Sequence, residues 1–274
     1  MATTAQTVRT AADTVDLSIV IPAYQEASII ERSLEELARH LDAHPIGRVE
    51  VIVVVADSPD GTADLARRAG SRFADFQLIA AGPRAVKGRD VRLGMLAARG
   101  RYRLFMDADL ATPLAHLREV RRLMDDGVAV AVAARDLRSA HRGLKRRLIA
   151  VIGNLLVRLA LLPGLRDSQC GFKLFRADVC DAVFGRATVT GWGFDLEVLA
   201  LAHRLGYRWA TIAVPDWRNP KDDAAQLAAD SAWGAALDVL RDLAVIRIAL
   251  WRGRYDDVVT PTTVNERVVA RTVA

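Results

Sequence analysis

Thiols are scarce in this chain, whose 274 residues include only two cysteines, Cys170 and Cys180. They form no CxxC pair and have no metal-ligand spacing. That excludes a disulfide scaffold and a structural zinc site, and fits a reducing cytosol. Long apolar runs are missing too. No stretch reaches the ~18–20 uninterrupted apolar residues of a membrane span; Leu148 to Leu162 comes nearest, and Asn154 and Arg158 interrupt it. The residues before Asp16 are small, polar and threonine-rich, without a basic stretch leading into an apolar one, so no signal peptide is expected. No repeat, P-loop or Ser-His-Asp set is visible, and the histidines offer no metal cluster.

What the chain has is apolar mass and positive charge. Apolar residues make up 51 % of it, enough for the core of one large domain or two small ones. The formal charge is +5, with Arg far outnumbering Lys. Such a balance suits an anionic partner: nucleic acid, nucleotide, lipid phosphate or an acidic membrane surface.

Strand and helix signals alternate along the first half. Apolar strand-like runs cover 17–21, 49–55, 76–80, 102–106 and 128–134. Helical spacing covers 27–41, a stretch through Leu65 and Ala69 that Asp60 or Thr62 can cap, then 90–98 and 113–124. This alternation predicts a parallel sheet with helices on both faces. Ligands of such sheets sit at the carboxyl ends of the strands. Asp57, Asp107 and Arg135 each lie just past such an end, which marks them as a candidate site. Beyond Arg135 the chain turns basic, with Arg138, Arg142, Lys145, Arg146 and Arg147. An apolar helical stretch (148–162), a strand at 172–175, a helix at 194–205, a strand at 209–214 and a last helix at about 232–251 follow. Residues 1–15 read as a disordered arm, 16–254 as one domain and 255–274 as a loose tail.

Asp107-Ala108-Asp109 carries the chemistry. Two carboxylates one residue apart after a strand can converge on a hard cation. Mg²⁺ or Mn²⁺ prefers oxygen ligands and needs few from protein when phosphates supply the rest. Lys87-Gly88, near a helix start, suits a phosphate or ribose oxygen. Arg92 could reach the same pocket or pack its stem. Arg135 offers a planar guanidinium for bidentate phosphate contacts. Asp195 and Glu197 open a helix, where acids complement the dipole. Trp192, Trp209 and Trp217 suit core packing, with packing on sugar or prenyl groups as the alternative.

Several of these segments together resemble family 2 glycosyltransferases. Ile19-Val20-Ile21-Pro22-Ala23-Tyr24-Gln25-Glu26 is similar to the opening of that family, and Ser58-Pro59-Asp60-Gly61-Thr62 to its second nucleotide loop. Met106-Asp107-Ala108-Asp109-Leu110-Ala111-Thr112-Pro113, Asp167-Ser168-Gln169-Cys170-Gly171-Phe172-Lys173-Leu174-Phe175 and Gly191-Trp192-Gly193-Phe194-Asp195-Leu196-Glu197 resemble the dolichyl-phosphate glucosyltransferase branch. The likeness covers about 17–250.

It implies a GT-A fold: a Rossmann-like, mostly parallel α/β sheet. It implies inverting transfer of glucose or mannose from a UDP- or GDP-sugar to a polyprenyl phosphate, with Mg²⁺ or Mn²⁺ on Asp107 and Asp109. Pro22, Ala23, Tyr24, Glu26, Asp57, Lys87, Asp107 and Ala108 would line the nucleotide pocket. Arg135, Arg146, Arg147, Gln169 and Lys173 would serve the acceptor or phosphates. Asp195 would join Asp107, Asp109 and Arg135 in the catalytic group, in a positioning role, because a lipid phosphate is already ionised. The basic and apolar segment near 138–165 would touch the cytoplasmic membrane face peripherally; nucleic acid is not an expected partner.

Two departures stand out. The chain has Val55-Ala56-Asp57-Ser58 where the family shows two adjacent acids, and Ala111 where mannosyl-transferring relatives place a Gln ligand. The metal should therefore depend largely on the donor's diphosphate. Rival expectations are a soluble saccharide or metabolite acceptor, and a non-catalytic nucleotide-binding regulator.

Overall fold

In the computed structural model the described residues are 14–83, 85–135, 161–165, 167, 170–217 and 231–255, with the side chains of 231–240 set aside. Arg146, Arg147 and Gln169, most of the 138–165 segment, the arm through residue 13 and the tail from 256 lie outside them. The elements run β1 (Leu17–Ala23), α1 (Ile30–Ala43), β2 (Val49–Ala56), α2 (Thr62–Gly70), β3 (Phe76–Gly82), α3 (Lys87–Ala97), β4 (Tyr102–Met106), a 3-10 turn (Leu114–His116), α4 (Leu117–Asp125) and β5 (Val130–Arg135). Then come β6 (Phe172–Arg176), α5 (Ala177–Phe184), α6 (Phe194–Arg204), β7 (Trp209–Val214) and α7 (Ser231–Trp251).

The seven strands form one sheet in the order β3-β2-β1-β4-β6-β5-β7. All neighbours are parallel except β6, which is antiparallel to both β4 and β5. Side chains alternate between faces along each strand. Val20, Ile52, Val54 and Phe105 enter one core layer, under α3, α5, α6 and α7. Ile19, Ile21, Val51, Val53 and Leu104 enter the other, with α1, α2 and α4. Covered faces explain why the central strands read as continuous apolar runs, while the edge strands β3 and β7 are partly exposed.

This topology gathers the site. β1, β2, β4 and β5 all end at one edge of the sheet, and antiparallel β6 begins there, with Phe172 opposite Met106. The chain leaves β1 toward β2 and β3, then returns to place β4 on β1's other side. The crevice between β1 and β4 is thus a switch point, the usual ligand position.

The differences from the sequence reading have local causes. Pro22 lies inside β1 rather than ending it; pairing to β4 stops at Val20, so on that side the ring interrupts no ladder. The α1 helix starts at Ile30, not at 27, because the Glu26 and Ala27 amides bond across to Thr62 Oγ1 (3.0 Å) and Asp60 Oδ2 (3.1 Å). The α3 helix starts at Lys87, not at 90. Asp90 reaches back to accept the Val86 N–H at 3.2 Å, satisfying a helix-end amide. Helix α5 has no counterpart in the sequence reading; its eight residues are held by burying Val179, Cys180, Val183 and Phe184. Val15, expected in the arm, is buried, and its carbonyl accepts the Arg101 N–H at 2.9 Å. Tyr255, expected in the tail, is buried too; its hydroxyl donates to Glu197 Oε1 at 2.6 Å, and burial with that bond pushes its pKa to about 12.

Helix α3 lies on β1 and β2 through Gly94, where an added Cβ would run into Val20 and Val54. Gly94→Ala is expected to destabilise the fold by about 1–3 kcal/mol, the cost of overpacking. Urea titration checks this: the midpoint should fall with the slope unchanged, and an unaltered midpoint would contradict the packing.

Candidate active site

Asp107 follows β4 directly, and its amide donates to the Gly171 carbonyl at 3.1 Å. Its carboxylate fills the space a side chain at 171 would need: an added Cβ there would collide with it. A side chain at 171 would have to displace that carboxylate. Lys87, first residue of α3, donates from Nζ to Asp107 Oδ1 at 2.8 Å. Asp107 keeps about a third of its exposure, so the pair opens to solvent. Burial works against the Lys87 charge, but the carboxylates of Asp107 and Asp195 outweigh it and hold its pKa above the ordinary lysine value. The ammonium also lies 5.1 Å from the centre of the Trp192 ring, a cation–π contact. Gly88 lets α3 start this close, since its amide donates to Thr190 O at 2.8 Å and a Cβ would strike Phe194.

Asp109 is half-buried, and its Oδ1 accepts the Ala111 N–H at 3.1 Å. Between Asp109 and Ala111, Leu110 has φ 53°, a left-handed conformation that costs a non-glycine residue energy; Gln25, after β1, has φ 54°. Both strained residues sit at the carboxyl edge of the sheet. Beside Gln25, Tyr24 is exposed, Pro22 and Glu26 are half-buried and Ala23 is buried. Asp57 is exposed after β2, its amide bonded to Gly82 O at 2.9 Å. Ala108 is buried.

Asp60 joins the two loops that follow β1 and β2. Its carboxylate accepts Ser58 Oγ (2.5 Å), Thr62 Oγ1 (2.7 Å) and the amides of Thr62 and Ala27. The Ser58 hydroxyl, then that of Thr62, holds its pKa well below the usual carboxylate range. The sequence suggests Asp60 only as a helix cap; its bond across to Ala27 depends on two loops meeting in space.

Two further pairs lie alongside. Arg135, the last residue of β5, donates Nε (2.5 Å) and Nη2 (3.0 Å) to Asp167. Burial opposes its charge, but Asp167 outweighs it and raises the pKa. Trp217 packs 5.1 Å from the guanidinium. Lys173 and Asp195 form a buried pair at 2.9 Å. Lys173 Nζ also donates to Cys170 O at 2.7 Å and sits 5.1 Å from the Phe105 ring centre. Burial pushes the Asp195 carboxyl up, and Lys173 and Lys87 pull it back.

The structure thus corrects several expectations. Lys173 has no exposed surface; its stem runs into the core from β6. Asp195 is equally interior, paired rather than accessible. Glu197 lies in the first turn of α6, as expected, and is in addition a buried hub accepting the Thr188 and Val189 amides, the Thr188 hydroxyl and Tyr255. Arg92 points away from the pocket, donating to the carbonyls of Phe184 (2.6 Å) and Gly185 (3.2 Å). Trp192, read as core, is 62 % exposed.

If Asp195 serves chiefly to neutralise Lys173, Asp195→Asn should destabilise by about 3–5 kcal/mol by stranding a buried ammonium. The double variant Lys173→Met/Asp195→Leu should recover much of that loss. Denaturant midpoints of the three proteins test it. A stable Asp195→Asn protein that has lost only turnover would instead make Asp195 a chemical participant.

Comparison with known proteins agrees with this architecture. The family model described as "Glycosyl transferase family 2" matches residues 18–184. Dolichyl-phosphate beta-glucosyltransferase of Drosophila melanogaster is 31 % identical over 259 residues, covering 88 % of this chain and 77 % of that protein. A dolichyl-phosphate beta-glucosyltransferase of Trichomonas vaginalis is 29 % identical over 248 residues, covering 86 % and 75 %. Among solved structures, glucosyl-3-phosphoglycerate synthase from Mycobacterium tuberculosis, in complex with Mn²⁺, uridine diphosphate and phosphoglyceric acid, superposes with TM-score 0.60 at 19 % identity, covering 85 % and 78 %; that likeness is one of fold. The chain belongs to glycosyl transferase family 2, and it is a glycosyltransferase with the GT-A fold.

Proposed function

We propose that this enzyme moves glucose from a UDP- or GDP-sugar to a polyprenyl, dolichyl-type, phosphate, with inversion at the anomeric carbon and with Mg²⁺ or Mn²⁺ at the donor. The observation that carries the reading is the Lys87–Asp107 pair at the carboxyl end of the central strand, with Asp109 two residues on. An ammonium suited to a diphosphate and carboxylates suited to a cation meet at one point. Glucose and the lipid acceptor are supported by the names of the relatives above.

The donor set fits a hard cation. Asp107 and Asp109 supply oxygen ligands, and Mg²⁺ needs only one or two protein carboxylates when phosphates complete its sphere. Among the described residues no three His, Cys, Asp or Glu side chains group to hold a metal, so the diphosphate's own oxygens would have to contribute. A cation held there supplies charge neutralisation to a departing diphosphate.

The chain's own groups do the rest. Lys87 leaves Asp107 for the diphosphate, whose charge replaces the carboxylate it gives up. Pro22, Ala23, Tyr24, Glu26, Asp57 and Ala108 border the nucleoside on loops that Asp60 ties together. Arg135 offers Nη1 to a phosphate while Asp167 holds its other two nitrogens. A lipid phosphate oxygen, already ionised, attacks C1 of the sugar. The bond from C1 to the diphosphate breaks on the opposite face, and the nucleoside diphosphate leaves with the electron pair. No protein base is needed, and an interior, lysine-paired Asp195 suits positioning. Peripheral contact with the cytoplasmic membrane face belongs to the same reading; among the described residues no helix is long and apolar enough to cross a membrane.

Purified protein given UDP-glucose or GDP-glucose, dolichyl phosphate and Mg²⁺ or Mn²⁺ in detergent should yield a glucosyl lipid, detected by thin-layer chromatography of labelled product. Asp109→Asn should lower turnover by about 10²–10³-fold, and a chelator should stop it. No lipid product with any donor and metal, or transfer to a soluble hydroxyl acceptor instead, would refute the proposal.

A further inference from the structure

The last three turns of α7 turn an unusual face to water. Leu243, Ile246 and Ala249 point into the core, as a surface helix requires. The opposite face should be polar. Instead Val245, Ile248 and Trp251 are exposed there, Trp251 to 84 %. They recur every three residues, so they form one strip along the helix. Exposed Arg241, Arg247 and Arg252 flank it. From Leu243 through Tyr255 the chain carries no carboxylate; Asp256 and Asp257 follow, outside the described residues. Beside the strip a cavity of about 530 Å³ opens between α6 and α7, lined by Leu161, His203 and Arg204 together with Ile248 and Trp251.

The strip is tied to the active site. Asp242 accepts the Gly193 N–H at 3.1 Å, an approach that only glycine at 193 allows. The neighbouring Trp192 packs on Lys87, and Lys87 holds Asp107. Val245 to Trp251 lie ~4–14 Å along the helix from Asp242, at 1.5 Å per residue. Tyr255 pins the chain beyond the helix to Glu197, so α7 is held at both ends of this stretch.

We propose that the Val245–Ile248–Trp251 strip and its arginines seat the protein on an anionic phospholipid surface, bringing a lipid-borne acceptor to the 191–193 loop. Apolar side chains with a tryptophan at the helix end, bordered by arginines and free of acids, match what an interfacial helix presents to anionic headgroups. The acceptor half of this statement rests on the proposed lipid-phosphate reading; the seat itself rests on α7.

The test uses the full chain and vesicles of phosphatidylcholine with or without phosphatidylglycerol, followed by flotation. The wild type should float with the anionic vesicles, and high salt should release it. Val245→Ser/Ile248→Ser/Trp251→Ser should weaken binding at least about tenfold with an unchanged melting temperature. Trp251→Ala alone, at the most exposed position, should weaken it measurably without touching the core. Arg241→Gln/Arg252→Gln should lose the preference for phosphatidylglycerol.

Glucosylation of long-chain acceptor in vesicles should fall with binding, while transfer to a short-chain polyprenyl phosphate in detergent should persist. A triple variant that floats like the wild type overturns the seat. So does a wild-type dimer in solution that the triple variant abolishes, since the strip would then belong to a second copy. Vesicle binding that depends on the strip, in a protein that glucosylates no polyprenyl phosphate, overturns the acceptor reading and leaves the seat standing.

Discussion

Ionic groups brought to the carboxyl edge of a covered sheet must be paired, and that requirement shapes the site. Lys87–Asp107, Arg135–Asp167 and Lys173–Asp195 lie along β4, β5 and β6. Each pair joins residues distant in sequence, because an unpaired charge withdrawn from water costs several kcal/mol. Antiparallel β6 makes this possible. It starts where β4 and β5 finish, and so brings the residues around its start against 107 and 135. Gly171 then leaves the room that the Asp107 carboxylate occupies.

The pairs differ in burial, and burial divides their roles. In the proposed reaction Lys87 and Asp107, open to solvent, exchange partners when a diphosphate and a cation arrive. Their association in the free protein restrains both charges at the place where the proposed reaction would use them, a form of preorganisation. Lys173 and Asp195 have no such access. They hold β6 to the start of α6, and with it the 191–193 loop that carries Trp192 beside Lys87. Asp60 plays a comparable part where the proposed reading places the nucleoside, joining two loops by hydrogen bonds close to solvent.

Much of the scaffold is legible from periodicity. The strands 102–106 and 209–214 and the last helix follow directly from runs of apolar residues, because a covered sheet and a buried helix face each leave a local pattern. Helix starts are less legible, since they depend on where single amides find acceptors. At Ile30 the start depends on the Ala27 amide finding Asp60, 33 residues along the chain. At Lys87 it depends on the Val86 amide finding Asp90. Helix α5 is illegible because eight residues give too few turns for a periodic signal, and burial against α3 and the sheet sustains it.

The sequence by itself determined the alternation of strands and helices, the edge at which Asp57, Asp107 and Arg135 would gather, and the acidic pair Asp107 and Asp109. These follow from side-chain periodicity and chain direction, which are local. Only the tertiary structure decided which charges face solvent and which are spent on one another. It put Lys173 and Asp195 in the interior, turned Arg92 to the end of α5, exposed Trp192, and gave Asp107 to Lys87. The physical reason is that a charge's partner is fixed by distance in space and by burial, and neither is written in the spacing of residues along the chain.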